Sequence, residues 1–394
     1  MKTTRLFASL VFGLGLVLVL LWLSGGPQVS LARSVRGLNA TTSATITVET
    51  PADELNENGS CSLREAILNA NNDDQTGSVD CPAGSGADTV NLPSGTYTLS
   101  IGGEGENAAA EGDLDITDDL TLNGTGAISP VIEGGRIDRV FHISAMASVE
   151  IHNVTIQGGY VNDLGSDMGG GIYNQGTLLM NACIIRDNEA EWYGGGIHTD
   201  GDGELTLEAC TIAENDAERG GGAYVDTVTA TLVMTGGVVD NNWAMASGGG
   251  VYVGEGSATL NGTAVFSNTA RDDHGGGVCV SDGSVTLNGV EVVSNSAGQR
   301  GGGVYAHKGL VTLSETRLAS NSADLGGGLS VWPGAGMLNV TGGRIENNTA
   351  THFGGGVYVH QGSATLTGTS LVSNTVTAVG TIIGFGGGLY VGPG

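Results

Sequence analysis

The stretch RDDHGGG sets Arg271, Asp272, Asp273 and His274 side by side, and Arg300 stands one repeat further on, 26 residues after His274. Elimination or hydrolysis of acidic polysaccharides needs such groups. Carboxylates serve as an acid/base pair or as Ca²⁺ ligands, often beside a basic residue. Asp324 lies one repeat beyond Arg300. These positions vary from repeat to repeat, as a site grafted onto a regular frame would. Other repeats carry EAEWY, DAERG and SAGQR at the same bend, which reads more simply as a variable polar loop. The catalytic candidates are therefore Asp272, Asp273, His274 and Arg300, weighed against a non-catalytic protein.

Aromatic residues give a second candidate chemistry. Tyr224, Tyr252, Tyr305 and Tyr358 each stand between apolar residues just after a glycine triplet. A column of such rings either offers a platform for stacking sugars or packs across neighbouring strands. Acidic bends such as RDNEAEW and AENDAE offer oxygens to Ca²⁺, without a nonapeptide RTX pattern or an EF-hand loop. No other cofactor has a signature: there is no CxxC for zinc, and no Lys-Ser/Thr or helix follows the triplets as a phosphate loop requires. The chain has 41 Asp and Glu against 14 Lys and Arg, a formal charge of −27, which repels nucleic acid and anionic membranes.

These residues are positioned by a repeat. Glycine triplets begin at Gly169, Gly194, Gly220, Gly248, Gly275, Gly301, Gly326, Gly354 and Gly386. A second marker is an apolar residue three before an asparagine, at Asn188, Asn215, Asn242, Asn268, Asn295, Asn321, Asn348 and Asn374, spaced 26 or 27 apart. Between the markers lie short β-branched pieces bounded by Gly, Asn or Ser, with no long amphipathic helix. The spacing predicts an all-β, right-handed parallel β-helix with three strands per 26–27-residue rung. Residues that recur every rung form columns. Glycine suits a corner that needs positive φ and close stacking. Asparagine tolerates the left-handed conformation and can bond along its column. Alternation predicts outward columns at Tyr173, His198, Tyr224, Tyr252, Cys279, Tyr305, Ser330, Tyr358 and Tyr390, and at Thr206, Thr231, Thr259, Thr286, Thr312 and Thr365.

At the N-terminus, the basic MKTTR, an 18-residue apolar run (6–23) and the small-x-small SLA predict a secretory signal over residues 1–32. A retained membrane anchor is the alternative. Residues 33–45 read as a linker. In an oxidising compartment, Cys61 and Cys81 are expected to pair. Cys183 and Cys210 fall one rung apart, as a thiol pair or a bridge, and Cys279 is left over. Ser62 and Glu65 form a capping box, and Leu63, Ala66, Ile67 and Ala70 mark one face of a helix from about Leu63 to Asn71. A stapled helix would cover the open end of a β-helix.

CSLREAI (Cys61–Ile67) resembles the signature of the CSLREA domain, which leads exported bacterial proteins. The GGG-apolar and apolar-x-x-Asn pair resembles the repeats of chlamydial polymorphic outer-membrane proteins. The resemblance implies a CSLREA-type cap and first rungs over 46–145, then β-helix repeats over 146–394. It further implies a pectate-lyase-like fold, secretion or surface display, and adhesive roles. Those relatives end in a barrel or another anchor, whereas this sequence breaks off mid-rung at GGGLYVGPG. Membrane contact is expected only through an uncleaved N-terminal segment or a missing C-terminal anchor. The expected function is recognition, adhesion or scaffolding against a glycan or other extracellular polymer, without catalysis. The alternative is a polysaccharide lyase or glycoside hydrolase using the Asp272–His274 bend.

Overall fold

The computed structural model describes residues 43–103, 105–162, 168–332, 336–377 and 384–392. The expected signal segment and most of the linker lie outside them. Among the described residues, no helix is long and apolar enough to cross a membrane.

The N-terminal segment is built around α1 (Leu63–Asn72). The Glu65 amide donates to the Ser62 hydroxyl at 3.2 Å, and the Ser62 amide donates to the Glu65 carboxylate at 2.9 Å. Two orphan amides of the first turn are thereby satisfied. Leu63, Ala66, Ile67 and Ala70 are buried in the main core. The Cys61–Cys81 disulfide staples the segment, with Cα atoms 4.8 Å apart. Arg64 is enclosed: its Nε lies 2.6 Å from Asp53, and it donates to the carbonyls of Ala109, Gly112 and Asp113. A buried guanidinium is tolerable because it is paired and hydrogen-bonded. These bonds also tie the helix to the chain around Asp113.

From there the chain coils as a right-handed parallel β-solenoid. Taking one rung as the example, Val251–Val253 is followed by Ser257–Asn261, Ala264–Phe266 and Thr269–Ala270, and Val278–Val280 begins the next rung. Like strands of successive rungs pair in parallel, Val251 with Val278 and Leu260 with Leu287. Among the described residues this gives sheets of 12, 11, 9 and 11 strands, called I, II, III and IV in the order in which a rung visits them from Ser257. Inward residues such as Leu260, Val265, Val251 and Val253 are fully buried and form one continuous core.

Sheet III departs from the predicted three strands per rung. It occupies the bend expected to be a polar loop. Its inward residue is alanine in rung after rung: Ala190, Ala217, Ala244, Ala270, Ala297, Ala323 and Ala350 are all buried. Each lies two residues after a column asparagine, and most are flanked by polar residues, Ala244 between Trp243 and Met245 being an exception. A single small residue per strand leaves no apolar run to betray it.

The triplets turn the chain from sheet III into sheet IV, and each position excludes a side chain for its own reason. Gly275 has φ +67°, a conformation that costs other residues free energy. A Cβ on Gly276 would lie 2.3 Å from the Ser296 carbonyl oxygen, and one on Gly277 would lie 2.7 Å from that of Gly303.

The asparagines turn the chain from sheet II into sheet III. Asn268 Nδ2 donates to Asn295 Oδ1 at 3.0 Å and to the Val239 carbonyl at 2.9 Å, and its backbone amide donates to Asn295 Oδ1 at 2.9 Å. Side-chain bonds of the same kind run unbroken from Asn188 through Asn215, Asn242, Asn268, Asn295, Asn321 and Asn348 to Asn374. The left-handed residue is the one before each asparagine, for instance Ser267 and Ser294 with φ 57° and 58°. The asparagine is thus kept for its amide, and its neighbour makes the turn.

On sheet I, Thr206 pairs with Val233 and then Thr259. Thr231 therefore belongs to the outward column two residues earlier. Cys183, Cys210 and Cys279 are free and buried.

Candidate functional site

Sheet IV carries the unusual outer face. Its strands place Asp115, His142, Tyr173, His198, Tyr224, Tyr252, Cys279, Tyr305, Ser330, Tyr358 and Tyr390 in one column. Two residues along the chain, Asp200, Asp226, Gly254, Ser281, His307, Trp332 and His360 follow on successive rungs. The residues before each triplet, among them Tyr193, Arg219, His274, Arg300 and Phe353, come back over the column. The ring of Tyr193 lies 4.8 Å from Tyr224, His274 lies 4.4 Å from Tyr305, and Phe353 lies 4.7 Å from Tyr390. Gly275 is pressed so closely on Cys279 that a Cβ would sit 2.7 Å from its Cβ. The glycine corner is what lets the preceding residue close over its neighbour. The result is a groove with a covered floor.

That covering fits the packing alternative for the tyrosine column. Tyr224, Tyr305 and Tyr358 are only 7, 4 and 6% exposed. Tyr224 and Tyr252 stack at 4.8 Å with 9° between their planes, and Tyr358 stacks on Tyr390 at 5.7 Å. Their faces are occupied by one another and by the groove wall, so they form the floor and present no free ring to a sugar. Burial pushes the Tyr252 hydroxyl up to about 12 and the hydroxyls of Tyr224 and Tyr305 further up.

The catalytic candidates separate. His274 and Arg300 meet, with Arg300 Nη1 3.2 Å from His274 Nε2. Asp272 is taken by Arg271 in an exposed pair at 2.8 Å, and Asp273 Oδ1 accepts from Gln299 Nε2 at 2.7 Å. A cleft of about 230 Å³ opens here, lined by His274, Arg300, Tyr252, Tyr305, His307 and Trp332, with neither carboxylate among its walls. The Arg300 guanidinium lies 3.7 Å from the centre of the Trp332 ring, which also stacks on His360 at 4.5 Å. Burial, then the Arg300 charge, holds His274 down to about 4, so the ring is neutral at neutral pH. An acid/base pair does not form at this bend. Asp324 is likewise elsewhere: the residue after Arg300 in its column is Leu325, and Asp324 meets Thr351 and His352 on sheet III.

The carboxylates that do converge lie in the early rungs. A second cleft, about 190 Å³, is lined by Asp113, Asp138, Arg139, His142 and Tyr173. Arg139 Nε lies 3.2 Å from Asp113 and 3.6 Å from Asp138, and His142 Nδ1 lies 2.8 Å from Asp115 Oδ1. Burial, then the neighbouring Asp115 charge, pushes Asp113 up to about 8, and burial also raises Asp138. These residues precede the first triplet and so escape a search keyed on glycine. The apolar-X-apolar pattern already runs through LDI and FHI, with Asp115 and His142 at X. Extending that column toward the N-terminus would have found them.

In the first acidic bend proposed for Ca²⁺, two of the charges are paired. Glu189 pairs with Arg136 at 2.7 Å, and Asp187 lies 3.6 Å from Arg186. Among the described residues, the groups able to hold an ion are both on the sheet IV face: Asp113, Asp115 and His142, and His198, Asp200 and Asp226.

Residues 132–265 match the family model described as the right-handed beta helix region. The match covers the early rungs, including His142, Tyr173, His198 and Tyr224 of the groove floor. No curated protein and no solved structure matches the chain. The fold is consistent with a surface or polysaccharide-related protein.

Proposed function

We propose that this protein acts at the cell surface or outside the cell, binding an extended polysaccharide along the outer face of sheet IV without turning it over. One observation carries the reading. His198, His274, Arg300, Ser330 and His360, all on or beside that face, each keep a buried polar atom with no hydrogen-bond partner. Buried polar atoms are nearly always paired, so a run of exceptions on one face favours a polar ligand there. From Tyr173 in one cleft to Cys279 in the other is four rung steps, about 19 Å at roughly 4.8 Å per step. A ligand reaching both clefts is extended. With a formal charge of −27 and five aspartates at one end of the groove, a neutral or amino-bearing glycan is favoured over a polyanion.

The test is a glycan array followed by affinity gels with neutral, amino-bearing and acidic polysaccharides. Trp332→Ala and Arg300→Ala are expected to weaken the best neutral or amino-bearing hit at least tenfold. Val233→Ala, on the exposed outer face of sheet I, is expected to leave it unchanged. Equal effects of all three, or binding confined to polyanions, would refute the proposal.

A second reading rests on the early-rung cleft. Burial and the Asp115 charge raise the Asp113 carboxyl toward the range in which a general acid works, against the pull of Arg139. Release of new chain ends from a bound polymer, lost in Asp113→Asn, would establish hydrolysis or elimination there. No release by the wild-type protein would leave binding alone.

A further inference from the structure

We propose that His198, Asp200 and Asp226 bind one divalent transition cation, with zinc as the ion they fit best. His198 is fully buried on the floor of the groove, and neither ring nitrogen has a hydrogen-bond partner. The Tyr193 backbone lies near enough to favour a proton on the ring, but outside hydrogen-bond geometry. Nε2 faces the Asp226 carboxylate at 3.9 Å, too far for a hydrogen bond. Ligand atoms of His198, Asp200 and Asp226 all lie within 4.8 Å of one another. Tetrahedral zinc with bonds of about 2.0–2.1 Å sets its ligands about 3.3 Å apart, so side-chain rotations of modest size close the shell.

Two further facts favour an ion. Asp200 and Asp226 stand at the same place on adjacent rungs, so two carboxylates face each other. A cation between them removes that repulsion. Tyr173 donates its hydroxyl to Asp200 Oδ2 at 3.1 Å, the outer-shell bond that orients a metal-ligating carboxylate. A nitrogen donor argues against Ca²⁺ and Mg²⁺, which take oxygen. The group at Asp113, Asp115 and His142 lacks these marks. Its histidine is already bonded to Asp115 at 2.8 Å and faces Gln175 at 3.4 Å, and the Arg139 guanidinium lies beside Asp113. The Asp226 side chain is 38% exposed, which leaves the proposed ion open to the groove.

This inference is independent of the polysaccharide reading, because it is measured without any glycan. The purified protein, stripped with chelator, is titrated with Zn²⁺ by calorimetry and with Co²⁺ by visible absorption. Expected are one saturable equivalent, a d–d band on Co²⁺ addition, and persistence of Zn²⁺ binding in a hundredfold excess of Ca²⁺. Asp226→Asn and His198→Gln are expected to weaken Zn²⁺ at least tenfold, and Glu291→Gln on sheet II to leave it unchanged. Should His198→Gln unfold, Asp200→Asn and Asp226→Asn decide together. Absence of a saturable equivalent, displacement by Ca²⁺, or wild-type affinity in Asp226→Asn would overturn the proposal.

Discussion

Asn268 sits in the middle of a file of amides and answers for several bonds at once. It accepts from the Asn242 side chain and backbone, and it donates to Asn295 and to the Val239 carbonyl. Asn268→Ala leaves those buried partners unpaired, at about 1–3 kcal/mol each before relaxation. A loss of about 3 kcal/mol in denaturant unfolding is expected. Asn374→Ala at the end of the file should cost less, because its neighbour on one side is missing among the described bonds. Equal small losses at both positions would show that the ladder is not cooperative. Titration adds a second prediction at this scale. Asp113 is raised from 3.8 to about 8, so its contribution to stability is full below pH 3.8 and is lost as pH rises through about 8. His274 is lowered from 6.5 to about 4, so its contribution is present above pH 6.5 and is lost as pH falls through about 4. His198 shares that acid limb. The windows overlap, so these groups together predict a maximum near pH 6.5, with melting temperature falling toward pH 4 as the two histidines outweigh Asp113 and toward pH 8 as Asp113 acts alone. Asp113→Asn should flatten the alkaline limb and His274→Gln the acid one, and unaltered profiles would refute these assignments.

The glycine corner is the element on which the groove depends. A Cβ at Gly276 meets the Ser296 carbonyl oxygen at 2.3 Å, whereas Gly262, with φ +58°, has nothing within 4 Å of its notional Cβ. Gly276→Ala should cost about 3 kcal/mol, the upper part of the overpacking range. Gly262→Asn should cost under about 1 kcal/mol, since asparagine tolerates that conformation. Chemical denaturation of the two variants checks the contrast, and similar costs would mean that the corner is looser than its contacts indicate. Elements also divide what could be read in the sequence from what could not. The capping helix, the parallel rungs and the inward valines and leucines follow from spacing, because burial imposes periods of 3.6 and 2. Sheet III does not, because alanine carries no hydrophobic signal by itself. The groove was hidden for a related reason. Alternation tells that Tyr305 points away from the core, but not that His274 from the preceding rung lies across it. Lateral cover is a tertiary fact. His274 and Arg300 could be paired from the repeat alone, since both precede a triplet, but their separation from Asp272 depends on which way each carboxylate turns. That choice is made by Arg271 and Gln299.

At the scale of the molecule, repetition supplies stability and one face supplies the chemistry. Each rung contacts mainly its neighbours, so substitutions on an outer face are tolerated as long as the columns of glycine, asparagine and inward apolar residues persist. Sheet I spends that freedom mostly on threonine, serine and asparagine, and sheet II on a mixture that includes Phe266 and the Arg317–Glu346–Arg344 cluster. Sheet IV spends it on histidines, tyrosines, aspartates and an arginine stacked on tryptophan, and walls them in. Gln157 and Asp240 on sheet II also bury an unpartnered polar atom, but such atoms are most frequent on the sheet IV side, where a spacer alone would give no reason for them. The most direct measurement is a crystal structure of the protein with the tightest glycan from the array. The account predicts sugar density running along sheet IV between Tyr173 and Trp332, with hydrogen bonds to His274 or Arg300. Density on sheet I or sheet II, with the sheet IV groove left to solvent, would contradict it.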